Sequence, residues 1–223
     1  MTESFDRDAS SKPVLRKTPD GLELVAGDLS LRADFSHMAN RLRPGNLAHE
    51  LVVRAAKTKG HDQPWAVDAT AGLGEDSLLL AGAGFRVTLF ERDPVIAALL
   101  RDALERASLS EDLADTTRRM TLIEGDSVKG LAALSERPDV VLLDPMFPAK
   151  AKSSAVKKKL QLLQMLEEPC DDEEALMNAA FDAEPRKVIV KRPAKGPYLA
   201  GRKPSYSLSG KAIRFDCYTI ARA

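Results

Sequence analysis

From Trp65 onward, short runs of apolar residues alternate with longer stretches of helical spacing. WAVDAT (65–70), RVTLFER (86–92), MTLIEGD (120–126), DVVLLDP (139–145) and KVIVKRP (187–193) read as strands. Their near-continuous hydrophobicity fits parallel strands covered on both faces. GEDSLLLAGAG (74–84), PVIAALLRDALERA (94–107), SVKGLAALSE (127–136), a lysine-rich stretch (152–168) and an acidic one (171–182) read as helices. Pro94 opens the second of these, where its missing N–H costs little. RFDCYTIA (214–221) reads as a last strand. This alternation predicts an α/β fold with a mostly parallel, doubly wound sheet, in which ligands bind beyond the carboxyl ends of the strands.

Upstream the pattern changes. Residues 1–20 are polar and read as a frayed tail. Residues 22–35 hold two alternating runs around Ala26-Gly27-Asp28, a hairpin signal. Residues 47–58 have helical spacing, with Pro44-Gly45-Asn46 as a start signal. The expected organisation is an N-terminal appendage (1–60) of tail, hairpin and helix, followed by the main domain (61–223).

Composition adds limits rather than chemistry. A chain of 223 residues with 44% hydrophobic and 30% charged residues is an ordinary globular domain. Its apolar stretches, such as Leu78 to Gly84, are too short to span a membrane, and no secretory signal opens it. Cys170 and Cys217 stand apart and read as reduced thiols of a cytoplasmic protein. His37, His49 and His61 are scattered, so no metal is expected. The net charge of zero hides an asymmetry: residues 145–223 carry 15 basic against 9 acidic side chains, and residues 1–144 carry 18 against 24. A basic face on a neutral molecule suits a polyanion without identifying it.

The strand ends hold the candidate chemistry. The first ends in Asp68-Ala69-Thr70-Ala71-Gly72-Leu73-Gly74. Gly72 and Gly74 allow a ligand to approach the backbone at a helix start, although a tight turn alone would also use them. Glu91, 23 residues after Asp68, ends the second strand where a carboxylate accepts from ribose hydroxyls. Asp126 and Ser127 end the third, suited either to capping the next helix or to an adenine amine. The fourth ends in Asp144-Pro145-Met146-Phe147-Pro148. Its prolines stiffen the loop, the Asp144 carboxylate and Pro145 carbonyl can accept from an exocyclic NH2, and Phe147 can stack on a base. Chemistry on an amine held in this way needs positioning and electrostatics rather than a strong base.

The fourth segment resembles the (Asp/Asn)-Pro-Pro-(Phe/Tyr) motif of amino-methyltransferases, with Met146 in place of the second proline. DATAGLGEDS, LFERDPVIAALLRDAL, DPMFPAKAKSSAVKKKLQLLQ, VIVKRP and RFDCY together closely resemble one bacterial family, the small-subunit ribosomal RNA guanine-N2 methyltransferases of the J type. The resemblance covers roughly residues 22–220. It implies a Rossmann-like class I methyltransferase fold with an antiparallel last strand, and S-adenosylmethionine as cofactor. It implies small-subunit rRNA, free or in a 30S-type particle, as partner, and guanine N2 as the methylated atom. Cofactor contacts then fall on Glu75, Asp76, Glu91, Arg92, Asp126, Ser127 and Asp144. Beside the loop, Lys150, Lys152, Lys157, Lys158, Lys159, Lys191 and Arg192 become candidates for RNA phosphates rather than a merely solvated face.

Three other readings stay open on the residues alone. A nicotinamide-dependent oxidoreductase shares the glycine turn and the acid after the second strand, but leaves DPMFP and the lysine helix unexplained. An amino-methyltransferase acting on DNA adenine or protein glutamine shares the loop logic. A non-enzymatic RNA-binding module would keep the pocket and the basic face.

Overall fold

The apolar runs pair side by side because each is too hydrophobic to leave either face in water. In the computed structural model, which describes residues 12–58, 60, 62–145, 162 and 172–221, they form one sheet. Its parallel strands are β4 (Trp65–Asp68), β5 (Arg86–Glu91), β6 (Met120–Glu124), β7 (Val140–Leu143) and β8 (Lys187–Pro193). β9 (Tyr206–Ser209) and β10 (Ile213–Thr219) complete it. Among the described residues the order is β6-β5-β4-β7-β8-β10-β9, and β10 runs antiparallel to both neighbours. This is the mostly parallel sheet with an antiparallel last strand that the sequence predicts. β9 was not expected. It is four residues long and largely exposed, so it carries no apolar run to announce it.

Strand alternation divides the core between the two faces. Ala66, Leu89, Val140, Leu142, Ile189 and Phe215 point into one cluster with α4 (Glu75–Gly82) and α5 (Pro94–Ser108). Val67, Phe90, Val141, Leu143, Val190 and Tyr218 point into the other. There they meet α7 (Ser127–Ala132) and α8 (Glu173–Asp182). The remaining short helix, α6 (Ala114–Thr117), precedes β6. No helix among the described residues is long and apolar enough to cross a membrane.

The N-terminal part holds an antiparallel sheet of β1 (Val14–Thr18), β2 (Gly21–Ala26) and β3 (Leu29–Leu31). β2 and β3 are the expected hairpin, turning at Gly27-Asp28. β1 corrects the expectation of a polar tail through residue 20: Val14–Thr18 pairs along its whole length with β2. Its solvent-facing residues hide the strand from any hydrophobic pattern. The helix expected at 47–58 is broken. After α1 (Ala39–Leu42), α2 (Pro44–Leu47) and α3 (Leu51–Ala56) are separate, because Glu50 takes an extended conformation between the last two. Leu24, Leu31, Phe35 and Met38 join the same buried cluster as α4 and α5. This puts the segment after β3 directly beside the glycine turn. A Cβ on Gly74 would lie 3.3 Å from Phe35 Cζ.

Candidate active site

The carboxyl ends of β4, β5, β6 and β7 converge, and backbone hydrogen bonds knit them together. Ala71 N donates to Phe90 O at 3.0 Å, and Gly125 N to Glu91 O at 2.8 Å. Asp144 N donates to the Thr70 hydroxyl at 2.6 Å, tying the end of β7 to the turn after β4. Thr70 was not among the expected site residues. Its position in the turn, level with the end of a neighbouring strand, is the signal that marks it.

The glycine turn is the cradle the sequence predicts. Gly72 and Gly74 both take left-handed conformations, with φ of +53° and +76°. A Cβ on Gly72 would meet nothing within 4 Å, so its backbone faces open space. A Cβ on Gly74 would lie 2.7 Å from Leu100 Cδ1, so this second glycine seats the turn on α5.

Asp68 lies beneath the turn. Its Oδ2 accepts from Ser77 Oγ at 2.6 Å and its Oδ1 from Thr70 N at 3.1 Å. Burial pushes its carboxyl up to about 7, against these two hydrogen bonds. Glu91 is also buried. It accepts from Gly72 N at 2.8 Å and from Asp93 N at 2.9 Å, one on each carboxylate oxygen. Burial raises its pKa, opposed by the same backbone donors. A carboxylate has about four acceptor sites, so Glu91 keeps capacity for a hydroxyl. Asp126 is exposed and caps α7, accepting from Val128 N and Lys129 N through Oδ1. The capping role weighed for it is therefore present, with Ser127 as the first helical residue. Glu75 faces His37 across 3.8 Å, while Arg92 is exposed.

β8 sends two basic side chains in different directions. Lys191 and Arg192 were grouped on one RNA-facing surface, but consecutive strand residues point to opposite faces. Lys191 turns into the site, with Nζ 2.6 Å from Asp76 Oδ2 and 2.9 Å from Asp144 Oδ2. Arg192 is buried, donating from Nε to Pro197 O at 2.9 Å. Neither guanidinium nor ammonium is presented outward to a phosphate here. Pro145 is buried directly after Asp144. Phe147, Lys150, Lys152, Lys157, Lys158 and Lys159 lie outside the described residues.

Among the described residues, Asp68, Glu91 and Asp144 end or follow strands beside the glycine turn, and Asp76 and Asp144 share the Lys191 ammonium. An open glycine backbone and a surplus of carboxylates fit a cofactor bearing ribose hydroxyls, an ammonium and a sulfonium. Comparison with known proteins gives the same answer. A family model described as SAM-dependent methyltransferase matches residues 2–220. The chain is 48% identical over 175 residues to the ribosomal RNA small subunit methyltransferase J of Thioalkalivibrio sulfidiphilus, covering 78% of this chain and 69% of that one. It is 42% identical over 211 residues to the protein of the same name from Aeromonas salmonicida, covering 92% and 85%. A crystal structure of an S-adenosylmethionine-dependent methyltransferase from Neisseria gonorrhoeae superposes with a TM-score of 0.74 at 33% identity, over 98% of this chain and 87% of that one. The chain belongs to the ribosomal RNA small subunit methyltransferase J family of S-adenosylmethionine-dependent methyltransferases.

Proposed function

We propose that this enzyme methylates the exocyclic N2 of a specific guanine in small-subunit ribosomal RNA, free or within a 30S-type particle. The observation that carries the reading is the placement of Asp144. Its backbone is fixed by Thr70 beside the glycine turn, and its half-open carboxylate faces the cleft. The names of the relatives supply the rRNA.

S-adenosylmethionine supplies an activated methyl on a cationic sulfur. Glu91 would accept from the ribose hydroxyls, the Gly72 backbone would line the chain of the methionine moiety, and the carboxylates of the cleft would favour its positive charge. The guanine amine is a weak nucleophile because its lone pair is delocalised into the ring. Asp144 and the Pro145 carbonyl accept its two N–H bonds and turn the nitrogen lone pair toward the methyl carbon. A methyl passed to that nitrogen would leave its bonding electron pair on the sulfur of the cofactor, so the exchange balances without any further reagent. Asp144 stabilises the positive charge arriving on the nitrogen, and the proton then leaves to solvent. Phe147 would stack on the base, and the lysines at 150–159 would hold flanking phosphates.

The test is methyl transfer from labelled cofactor to small ribosomal subunits and their rRNA from cells lacking the enzyme, with mass mapping of the product. Label on guanine N2 is the expected result. Label on DNA adenine or protein glutamine with none on rRNA would overturn the substrate and keep the methyltransferase.

A further inference from the structure

Lys191 is a lysine at the mouth of an apolar parallel strand, a position where a long cationic side chain usually reaches for solvent. Here it does the opposite. Three-quarters of its side-chain surface is covered, and Nζ sits between two carboxylates from different elements: Asp76 on α4 at 2.6 Å and Asp144 after β7 at 2.9 Å. Both contacts engage an Oδ2. Asp144 is thereby held from two directions, its backbone by Thr70 and its carboxylate by Lys191. With Oδ2 occupied by the ammonium, Oδ1 is the oxygen left for a substrate N–H.

We propose that Lys191 is a positioning residue for methyl transfer, pinning Asp144 through Oδ2 so that Oδ1 is held ready for the target amine. The inference rests on the reading of Asp144 as the amine acceptor, and it replaces the phosphate contact expected of Lys191.

Charge at the site makes the pin necessary. Asp144 feels the charges of Asp68 from β4, Asp76 from α4 and, from β8, Lys191 in direct contact and Arg192 at longer range. Burial pushes its carboxyl up and Asp76 pushes the same way. Lys191 is the largest influence holding it down, with Arg192 a smaller one. A protonated Asp144 would offer one acceptor fewer and could not compensate the charge arriving on the nitrogen. Lys191 itself keeps its proton: burial disfavours the ammonium, but Asp144 and Asp76 together hold its pKa above the usual lysine range. It therefore acts as a fixed cation and not as a base. Together with Asp76 and Asp144 it leaves one net negative charge, so it does not repel a sulfonium as an unpaired lysine would.

Lys191→Met and Lys191→Arg test this against the wild type, with two readouts. The first is the pH profile of kcat on small ribosomal subunits. Lys191→Met should lower kcat at neutral pH by at least about tenfold and move the acid limb upward by about one pH unit. Lys191→Arg should bring the limb back. The second is the carboxyl 13C titration of Asp144 in the free protein, assigned with Asp144→Asn, which should also move upward in Lys191→Met. Where Lys191→Met fails to fold, Lys191→Gln replaces it with the same expectations. An unchanged acid limb, or an unmoved Asp144 titration, would overturn the proposal. A wild type that labels no rRNA would defeat the substrate reading alone, because the carboxyl titration decides Lys191 without RNA.

Discussion

Glu91 and Gly72, nineteen residues apart in the chain, are joined by a 2.8 Å hydrogen bond from the glycine N–H to carboxylate Oε2. The second oxygen takes the Asp93 N–H at 2.9 Å, and Asp93 in turn caps α5 through Val95 N and Ile96 N. One carboxylate thus sets the glycine turn, the start of α5 and the acceptor available to a ribose. Glu91→Ala removes all three and takes the acceptor from the Gly72 and Asp93 N–H groups. Cofactor affinity should fall by at least about tenfold, and stability by about 1.5–3 kcal/mol, the range for hydrogen bonds to a charged group. Calorimetry with S-adenosylmethionine and a urea melt separate the two. Unchanged affinity would remove Glu91 from the cofactor site.

The two glycines of the turn should fail in different ways. Gly74→Ala forces a side chain into a left-handed conformation and drives its Cβ to 2.7 Å from the buried Leu100 Cδ1. A cost of about 2–4 kcal/mol follows from backbone strain plus overpacking. Gly72→Ala carries the backbone strain alone, about 1–2 kcal/mol, because its Cβ meets no protein atom. That Cβ instead occupies the space in front of the strand ends. Its loss of cofactor affinity should therefore exceed that of Gly74→Ala once both are measured on folded protein. The reverse order would mean that the cofactor does not lie against Gly72.

Much of this architecture is legible in the sequence for a physical reason. Parallel strands covered on both faces must be apolar throughout, so β4, β5, β7 and β8 announce themselves, and their ends locate the chemistry. β1 and β9 escape because exposed strands carry no such pattern: VLRKT and YSLS bury almost nothing. Lys191 escapes for a different reason. A charge at a strand end reads as solvated, and only the placement of Asp76 and Asp144 around it shows otherwise. A lysine level with the Asp of a DP loop on the adjacent strand is the sequence signal that finds it, since Leu143 pairs with Val190 and the next residues are Asp144 and Lys191.

Asp68 gives the enzyme a pH-dependent stability. Its carboxyl titrates at about 7 in the folded protein against an ordinary value of 3.8. Between these values the folded state holds a proton that the unfolded state releases. Stability from this group is therefore fully present at low pH, falls as pH rises through the window, and is level above it. The slope is at most about 1.4 kcal/mol per pH unit for one proton. Asp68→Asn removes the titration, so the stability of wild type relative to the variant should decline as pH rises from about 4.5 to about 8. Urea denaturation at several pH values measures it, and a constant difference would place Asp68 at an ordinary pKa.

Arg214 organises the loop that leaves β8. Its guanidinium is almost fully buried and is held by both oxygens of Asp216, at 2.8 and 3.0 Å. From that fixed position Nη1 donates to Pro193 O at 2.9 Å, Ala194 O at 3.1 Å and Gly196 O at 2.9 Å. The same group lies 5.1 Å from the Tyr198 ring. Three carbonyls and an aromatic face converge on one planar cation, which a lysine ammonium cannot reproduce. The loop begins three residues beyond Lys191 and carries Lys195 and Tyr198, the latter 40% exposed. It is thus a loop held in place by Arg214, and on the proposed reading it meets the flanking RNA. Arg214→Lys should speed amide exchange across residues 194–198 and raise KM for the RNA roughly tenfold, since small displacements at a recognition surface are costly. Cofactor affinity should stay at the wild-type level, because the side-chain donors to this loop's carbonyls are Arg192 and Arg214, neither of them placed at the cofactor. An equal loss of cofactor affinity would mean that the loop supports β8 and the Lys191 pin instead of the RNA.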